Sequence, residues 1–89
     1  MESLSQLREQ IDRIDAQIAD CFKQRMEAAG KVALYKQHTA QELTHSERER
    51  EVINSAVART GEDLQLYTKV LFRTLIDLSK ACQTGILHK

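Results

Sequence analysis

The chain lacks proline and tryptophan and has only three glycines, so few residues interrupt regular secondary structure. Proline and glycine are the residues that most strongly end or distort a helix. Aromatic residues are also scarce, with two Tyr and two Phe, whereas the helix-favouring Ala, Leu, Gln, Glu, Lys and Arg are abundant. The composition therefore predicts an all-α protein.

A net charge is lacking as well, because 13 Lys and Arg balance 13 Asp and Glu. Without a basic excess, neither nucleic acid nor an anionic membrane is an expected partner. No apolar run has the length of a signal peptide or a membrane span, so we expect a soluble, cytoplasmic protein. The two cysteines, Cys21 and Cys82, show no metal-type spacing and are expected to be small core residues.

Three helices follow from the pattern of polar and apolar residues. The first is predicted from about Ser5 to about Gln37, and the polar stretch His38–Leu43 is predicted to be a loop. Thr44 and Glu47 have the spacing of a capping box, which predicts a second helix that runs to about Arg59 and stops at Gly61.

Asp63 is the expected cap of a third helix that ends near Gly85. No repeat, low-complexity segment or linker indicates a second domain, so residues 1–89 are interpreted as one helical domain. The predicted inner face of the third helix carries Leu64, Tyr67, Val70, Leu71, Thr74, Leu75, Leu78 and Cys82.

The first helix has a nearly continuous apolar stripe along its whole length. Its 33 residues would extend about 50 Å, whereas a compact chain of this size has a radius of gyration of about 12 Å. Two further helices cannot cover such a rod, so we expect a symmetric homodimer that buries both stripes. The stripe contains Leu4, Leu7, Ile11, Ile14, Ile18, Cys21, Arg25, Ala28, Val32 and Tyr35.

Arg25 is the one charged residue in this stripe. A buried guanidinium without an anionic partner is costly, so either a carboxylate of the fold or an anionic ligand should lie opposite. No acidic residue of the same helix is well placed to pair with it, since Glu27 is only two positions away. A bound anion is therefore one hypothesis for this position.

Two other cations of the first helix relate to Arg25 in different ways. Lys36 follows it by eleven residues, so both side chains point the same way about 16 Å apart, with room for a small organic acid between them. Arg8 precedes it by 17 residues, about 26 Å, which is too far for a shared small ligand within one chain. In an antiparallel dimer, Arg8 could complete the site of the other subunit.

The other two helices also carry polar residues on or beside their apolar faces. Arg48 and Glu49 precede the apolar group of the second helix by one turn. Ser79 and Gln83 continue the stripe that begins with Phe72 on the third helix. Taken singly, each is more commonly a surface residue or a tolerated substitution, and it is the combination that is informative.

The order and spacing of these polar residues, from Leu4 to Gln83, closely resemble the all-α class of chorismate mutases. In that family three helices per chain intertwine into a dimer with two active sites, and each site receives one arginine from the first helix of the partner. The motifs that carry the resemblance are Leu7-Arg8-Glu9-Gln10-Ile11-Asp12, Asp15, Arg25, Lys36, Arg48-Glu49-Arg50-Glu51, Ser79 and Gln83.

The resemblance implies a role for each matched residue. Arg8 of the partner chain and Arg25 would bind the two carboxylates of chorismate. Lys36 would contact a carboxylate and the ether oxygen, and Gln83 would donate a second hydrogen bond to that oxygen. Of these four residues, Lys36 and Gln83 would act at the bond that breaks.

The remaining matched residues would hold the rest of the substrate. Glu49 would accept from the ring hydroxyl, Arg48 would organise that end of the site, and Ser79 would help to hold a carboxylate. His45 departs from the family, because many members have an aspartate there. Since a backbone N–H can fill part of that role, activity should survive while affinity or pH dependence differs.

The implied reaction is an isomerisation, the intramolecular Claisen rearrangement of chorismate to prephenate in phenylalanine and tyrosine biosynthesis. It needs no nucleophile, metal or redox cofactor, so none is expected. Clamping the substrate supplies orientation, and donors at the ether oxygen stabilise the charge that develops there. The scarcity of nucleophile and base pairs in the sequence agrees with such a mechanism.

Two alternatives stay open at this point. An isochorismate pyruvate lyase resembles the family in fold and clamps a nearly identical dianion, so the matched residues discriminate poorly between the two activities. A non-catalytic helical dimerisation or regulatory module is the other alternative. Such a module has no use for Arg25 in its apolar seam.

Overall fold

The computed structural model describes residues 1–39 and 46–87, with the side chains of residues 1–35, 46–83 and 85. These residues form three α-helices and no strand, which confirms the prediction of an all-α, three-helix chain. Helix α1 spans Leu4–Thr39, α2 spans Ser46–Thr60 and α3 spans Gln65–Leu87. A short 3₁₀ turn, Glu62–Leu64, precedes α3.

Helix α1 begins with a reciprocal cap that the sequence analysis overlooked. The backbone N–H of Gln6 donates to Ser3 Oγ at 3.1 Å, and the backbone N–H of Ser3 donates to Gln6 Oε1 at 2.8 Å. This is a capping box, which satisfies two N–H groups at the start of the helix. The helix therefore begins at Leu4, one residue before the predicted start.

The length of α1 sets the shape of the chain. Its 36 residues correspond to about 54 Å, close to the longest dimension of the structure, whose extents are 56 × 27 × 14 Å. The radius of gyration is 16.3 Å, well above the value of about 12 Å for a compact chain of this size. The structure is therefore a rod to which two shorter helices are attached.

The connection between α2 and α3 depends on a glycine. Gly61 has φ +91°, which favours a residue without a side chain, and its N–H donates to Val57 O at 2.9 Å. The predicted stop of the second helix at Gly61 therefore agrees with the structure. The two helices are also joined by a hydrogen bond across this turn, because Thr60 Oγ1 of α2 and Thr68 Oγ1 of α3 lie 2.6 Å apart.

Other predicted helix ends differ from the structure. Asp63 lies inside the 3₁₀ turn, and α3 begins at Gln65 rather than at an Asp63 cap. Helix α3 also continues to Leu87, because Gly85 lacks the positive φ with which a glycine typically ends a helix. Helix α1 extends two residues beyond its predicted end at Gln37, and the predicted cap residue Thr44 lies outside the described residues.

Helix α3 packs against both other helices, whereas α1 and α2 do not pack against each other in the described part of the chain. Arg25 lies opposite Ser79 and Ala29 lies opposite Gln83, so α3 runs parallel to the second half of α1. Helix α2 runs antiparallel to α3, because its start contacts Lys80 and its end contacts Thr68. Helices α1 and α2 therefore leave a gap between them on the surface of α3.

The core within one chain is small and consists mainly of alanines. Ala33 is completely buried, and among the described apolar side chains only Ala29, Ala56 and Ile76 are also buried. Small side chains allow helices to approach closely, but they bury little apolar area. Hydrophobic burial within one chain is therefore modest.

The predicted inner face of α3 is wrong for the single chain. Tyr67, Val70, Leu71 and Leu78 are exposed, while the covered face carries the buried Thr68, Ile76 and Gln83. The prediction assigned the most apolar face to the interior. Helices α1 and α2 instead cover a more polar face of α3, which leaves the apolar face without a neighbour in the chain.

The first half of α1 is exposed on all sides except for partial cover at Gln10. Its apolar stripe includes side chains exposed by 43% at Leu7 and 58% at Ile18. Cys21 is exposed and Cys82 is half-buried, so the prediction that both are core residues is wrong for Cys21 within the single chain. Within the described ranges, no helix has both the length and the apolarity to cross a membrane.

Candidate active site

A pocket of about 330 Å³ fills the gap between α1 and α2, with α3 as its floor. Five of the eight site residues predicted from the sequence line it, namely Arg25, Arg48, Glu49, Ser79 and Gln83. Apolar side chains and one further cation form the rest of the wall that the structure describes. The other lining residues are Ala28, Ala29, Val32, Val52, Ile76 and Lys80.

Arg25 reaches the pocket from α1 and is held by α3. Its Nη1 donates to Leu75 O at 3.2 Å and to the hydroxyl of Ser79. No carboxylate among the described residues forms an ion pair with this guanidinium. The first of the two expected partners, a carboxylate of the fold, is therefore missing from the described part of the chain.

Ser79 orients Arg25 because its own proton has another acceptor. Ser79 Oγ donates to Leu75 O at 2.9 Å, one turn earlier on α3. The hydroxyl oxygen therefore presents its lone pairs to Arg25, as a hydroxyl has one donor and two acceptor positions. The pair fixes the guanidinium at the pocket wall without neutralising its charge.

Gln83 lies one turn beyond Ser79 at the same wall. It is buried, and its Nε2 donates to Ala29 O at 3.3 Å. This contact fixes the amide group against the backbone of α1. An amide nitrogen carries two hydrogens, and the bond to Ala29 uses only one of them.

Glu49 is the one acidic residue that lines the pocket among the described residues. Its Oε1 accepts from Arg73 Nη1 at 3.0 Å, and its Oε2 lies 3.0 Å from Lys80 Nζ. These interactions with Lys80 and with Arg73 hold the pKa of Glu49 below its ordinary value of 4.5. Glu49 is therefore an ionised hydrogen-bond acceptor at neutral pH.

Lys80 is the pocket residue that the sequence analysis missed. It follows Ile76 by four residues and precedes Gln83 by three, so helical spacing places all three on one face. That spacing was available from the sequence. The lysine was overlooked because lysines near a helix end are usually solvated surface residues.

Arg48 also lines the pocket. Its Nη1 lies 3.5 Å from Glu51 Oε2, and both side chains are largely exposed. An exposed pair at this distance contributes little to stability and does not fix the arginine. The guanidinium can therefore move toward a ligand at small cost.

Three predicted residues are not brought to the pocket by the described structure. Arg8 lies on the exposed first half of α1, about 26 Å along the helix from Arg25. Lys36 belongs to α1, but its side chain is outside the described part. His45 falls wholly outside the described residues.

The described pocket walls carry three cations, Arg25, Arg48 and Lys80, and one carboxylate, Glu49. This excess of two positive charges suits a small anion, and the apolar residues suit its carbon skeleton. In the described ranges no cluster of three His, Cys, Asp or Glu side chains could hold a metal ion. The charges and hydrogen-bonding groups of this pocket are of the kind that can bind and orient a small anion.

Comparison with known proteins identifies the family. The family model for chorismate mutase type II matches residues 7–84, which is most of the chain and includes all the described residues that line the pocket. Searches of curated proteins and of solved structures found no match. With the match spanning all three helices, the chain belongs to the chorismate mutase type II family.

Proposed function

We propose that the chain is a chorismate mutase, an isomerase that converts chorismate to prephenate by an intramolecular Claisen rearrangement. The observation that carries the proposal is the position of Arg25 and the hydrogen bonds that it makes. Its guanidinium lines a pocket, is oriented by Ser79 and Leu75 O, and has no carboxylate partner among the described residues. Such a cation is ready to bind a carboxylate of the substrate.

The pocket suits a small dianion in charge and size. Its walls carry two more cations than carboxylates in the described part, and its volume of about 330 Å³ lies within the usual range for small-molecule sites. Ser79 supports Arg25 at one substrate carboxylate. The second carboxylate needs another cation, which we assign to Arg8 of a second copy of the chain.

A homodimer would supply that second copy and cover the exposed apolar surface. The first half of α1 presents Leu7, Ile11, Ile14 and Ile18 to solvent, and an antiparallel partner helix would bury them at roughly 25 cal/mol per Å² of apolar area. In that arrangement the start of one α1 lies beside the second half of the other. Arg8 would then reach the pocket of the partner.

Catalysis would come from two donors at the ether oxygen of chorismate. Negative charge grows on this oxygen as the C–O bond breaks, so a donor there stabilises the transition state more than the ground state. Gln83 fits this role because it is buried at the pocket wall and held by Ala29. We assign the second donor to Lys36 of α1, eleven residues beyond Arg25.

The other assigned residues would orient the substrate. Glu49 would accept from the ring hydroxyl, since its carboxylate is ionised and lines the pocket. Arg48 would close that end of the site, and His45, which directly precedes α2 in the sequence, is a further assigned substrate-binding residue. Holding the side chain of the substrate over its ring removes much of the entropic part of the barrier. No step of this reaction calls on a metal or a redox cofactor.

The reaction would place the chain in phenylalanine and tyrosine biosynthesis, as a cytoplasmic enzyme. The direct test supplies purified protein with chorismate and with isochorismate in parallel, and identifies the products by proton NMR. We expect prephenate from chorismate and no pyruvate from isochorismate. Pyruvate release from isochorismate alone would assign a lyase, and inertness toward both substrates would leave only a non-catalytic role for the helical dimer.

A further inference from the structure

The carboxylate of Glu49 presents a charge problem for the site. It lines the pocket that we propose to bind a dianion, so it would repel the substrate unless its own charge were compensated. The side chain of Glu49 is only 16% exposed, so water screens it poorly. The chain must therefore supply the compensation itself.

Two cations of α3 meet this carboxylate, one at each oxygen. Arg73 Nη1 contacts Oε1 and Lys80 Nζ contacts Oε2, both at 3.0 Å. They are seven residues apart, two helical turns, and so project from the same face of α3. Each carboxylate oxygen has more than one acceptor position, so a ligand hydroxyl can still bind.

The two cations differ in their position relative to the pocket. Lys80 lines it beside Glu49 and Gln83, whereas Arg73 is absent from its walls and lies beside Ile53 and Thr74 in an outer depression. Arg73 therefore contacts Glu49 without lining the pocket. Lys80 is the one of the two cations that lines the pocket together with the carboxylate it contacts.

We propose that Lys80 is a positioning residue that acts through Glu49. It holds the Glu49 carboxylate where the ring hydroxyl of the substrate binds. It also reduces the repulsion between this carboxylate and the dianionic substrate. This inference rests on the proposed function. It differs from a direct role in binding the carboxylates of the substrate, and from an ion pair that only adds stability.

A double-mutant cycle separates these roles. The variants Lys80→Met, Glu49→Gln and the double variant are compared for kcat and KM with chorismate. We expect Lys80→Met to raise KM roughly tenfold with a smaller change in kcat, because Glu49 then repels the substrate. With Glu49→Gln as background, the same substitution should change KM less than about twofold.

Two further variants serve as controls. Lys80→Arg keeps the charge and should retain a KM within about threefold of the parent. Lys69→Met removes an exposed lysine of the same helix that does not line the pocket, and should leave kcat and KM unchanged. An equal effect of Lys80→Met in both Glu49 backgrounds would overturn the proposal, as would unchanged kinetics of Lys80→Met itself.

A measurement without substrate tests the contact itself. Carboxyl ¹³C NMR of Glu49 across the acid range should show a higher pKa in Lys80→Met than in the parent, and no change in Lys69→Met. An unchanged pKa in an active enzyme would overturn the positioning role and leave the proposed function intact. A parent inactive toward chorismate would overturn both, whatever the titration shows.

Discussion

The Arg25 guanidinium of α1 donates to the hydroxyl of Ser79 on α3, while that hydroxyl donates onward to Leu75 O. The contact joins two helices that are parallel at this point and fixes a cation at a pocket wall. Its partner is a neutral oxygen, so the positive charge remains available. This relationship is typical of a binding group rather than of a stabilising ion pair.

The first prediction follows from this neutral partner. Arg25→Met should lower kcat/KM with chorismate at least a hundredfold, roughly 3 kcal/mol, because a charge-assisted contact to the substrate is lost. The free energy of unfolding should change by less than about 1 kcal/mol, because the loss of two hydrogen bonds is offset by removal of a part-buried charge that has no ion-pair partner among the described residues. Kinetics and urea unfolding check the two expectations, with Arg50→Met as the matched control. A large loss of stability would instead make Arg25 a structural residue.

A second prediction concerns the exposed stripe of α1. Sedimentation equilibrium at micromolar concentration should give about twice the chain mass, because the stripe needs a partner. Ile14→Asp places a charge in the middle of the stripe and should produce monomers with reduced helicity and little activity. Asp15→Asn, on the adjacent polar side, is the control. A compact, stable and monomeric parent would contradict the account.

A third prediction uses the pKa of Glu49, which Lys80 and Arg73 hold below 4.5. A carboxyl group with a lower pKa in the folded state stabilises the protein above its unfolded pKa, and this contribution is lost as the pH falls through the folded pKa. At fixed protein concentration, the difference in unfolding free energy between the parent and Glu49→Gln should be constant near neutral pH. It should shrink below about pH 4.5. A difference that stays the same in acid would contradict this coupling.

A fourth prediction tests whether Gln83 touches the reacting oxygen. In Gln83→Glu an ionised carboxylate would repel the charge that develops there, whereas the protonated form can donate a hydrogen bond. The variant should regain activity as the pH falls toward about 5, while the parent stays comparatively flat. Burial of this position favours the protonated form further. The same pH profile for both proteins would show that Gln83 does not contact the reacting oxygen. It would contradict the assignment of α3 to the active site.

The number and type of the helices were predictable because they depend on local chemistry, whereas of the helix ends only the stop at Gly61 agreed closely. The stop at Gly61 follows from a backbone that needs a positive φ, and the long α1 follows from a stretch with no proline and a single glycine, Gly30. The covered face of α3 was not predictable from apolarity. Its most apolar face, with Val70 and Leu71, is exposed in the single chain, since no sequence pattern states which neighbour covers which face.

The residues of the candidate site were likewise only partly predictable from the sequence. Arg25 and Gln83 stood out because they are polar residues within apolar stripes, and the structure places both at one pocket. Lys80 shares a helix face with Ile76 and Gln83, which the spacing shows, but its contact with Glu49 of another helix could not be predicted from that spacing. Arg8 depends on a second chain, so its role stays a prediction.

Mixing two inactive variants tests the central claim, an anion site completed by arginines of two chains. Arg8→Ala and Arg25→Ala subunits should each be nearly inactive with chorismate. After exchange of chains, one site of the heterodimer lacks both arginines and the other is intact. We predict about half of the parent activity per heterodimer. No recovery despite proven exchange would contradict the shared site.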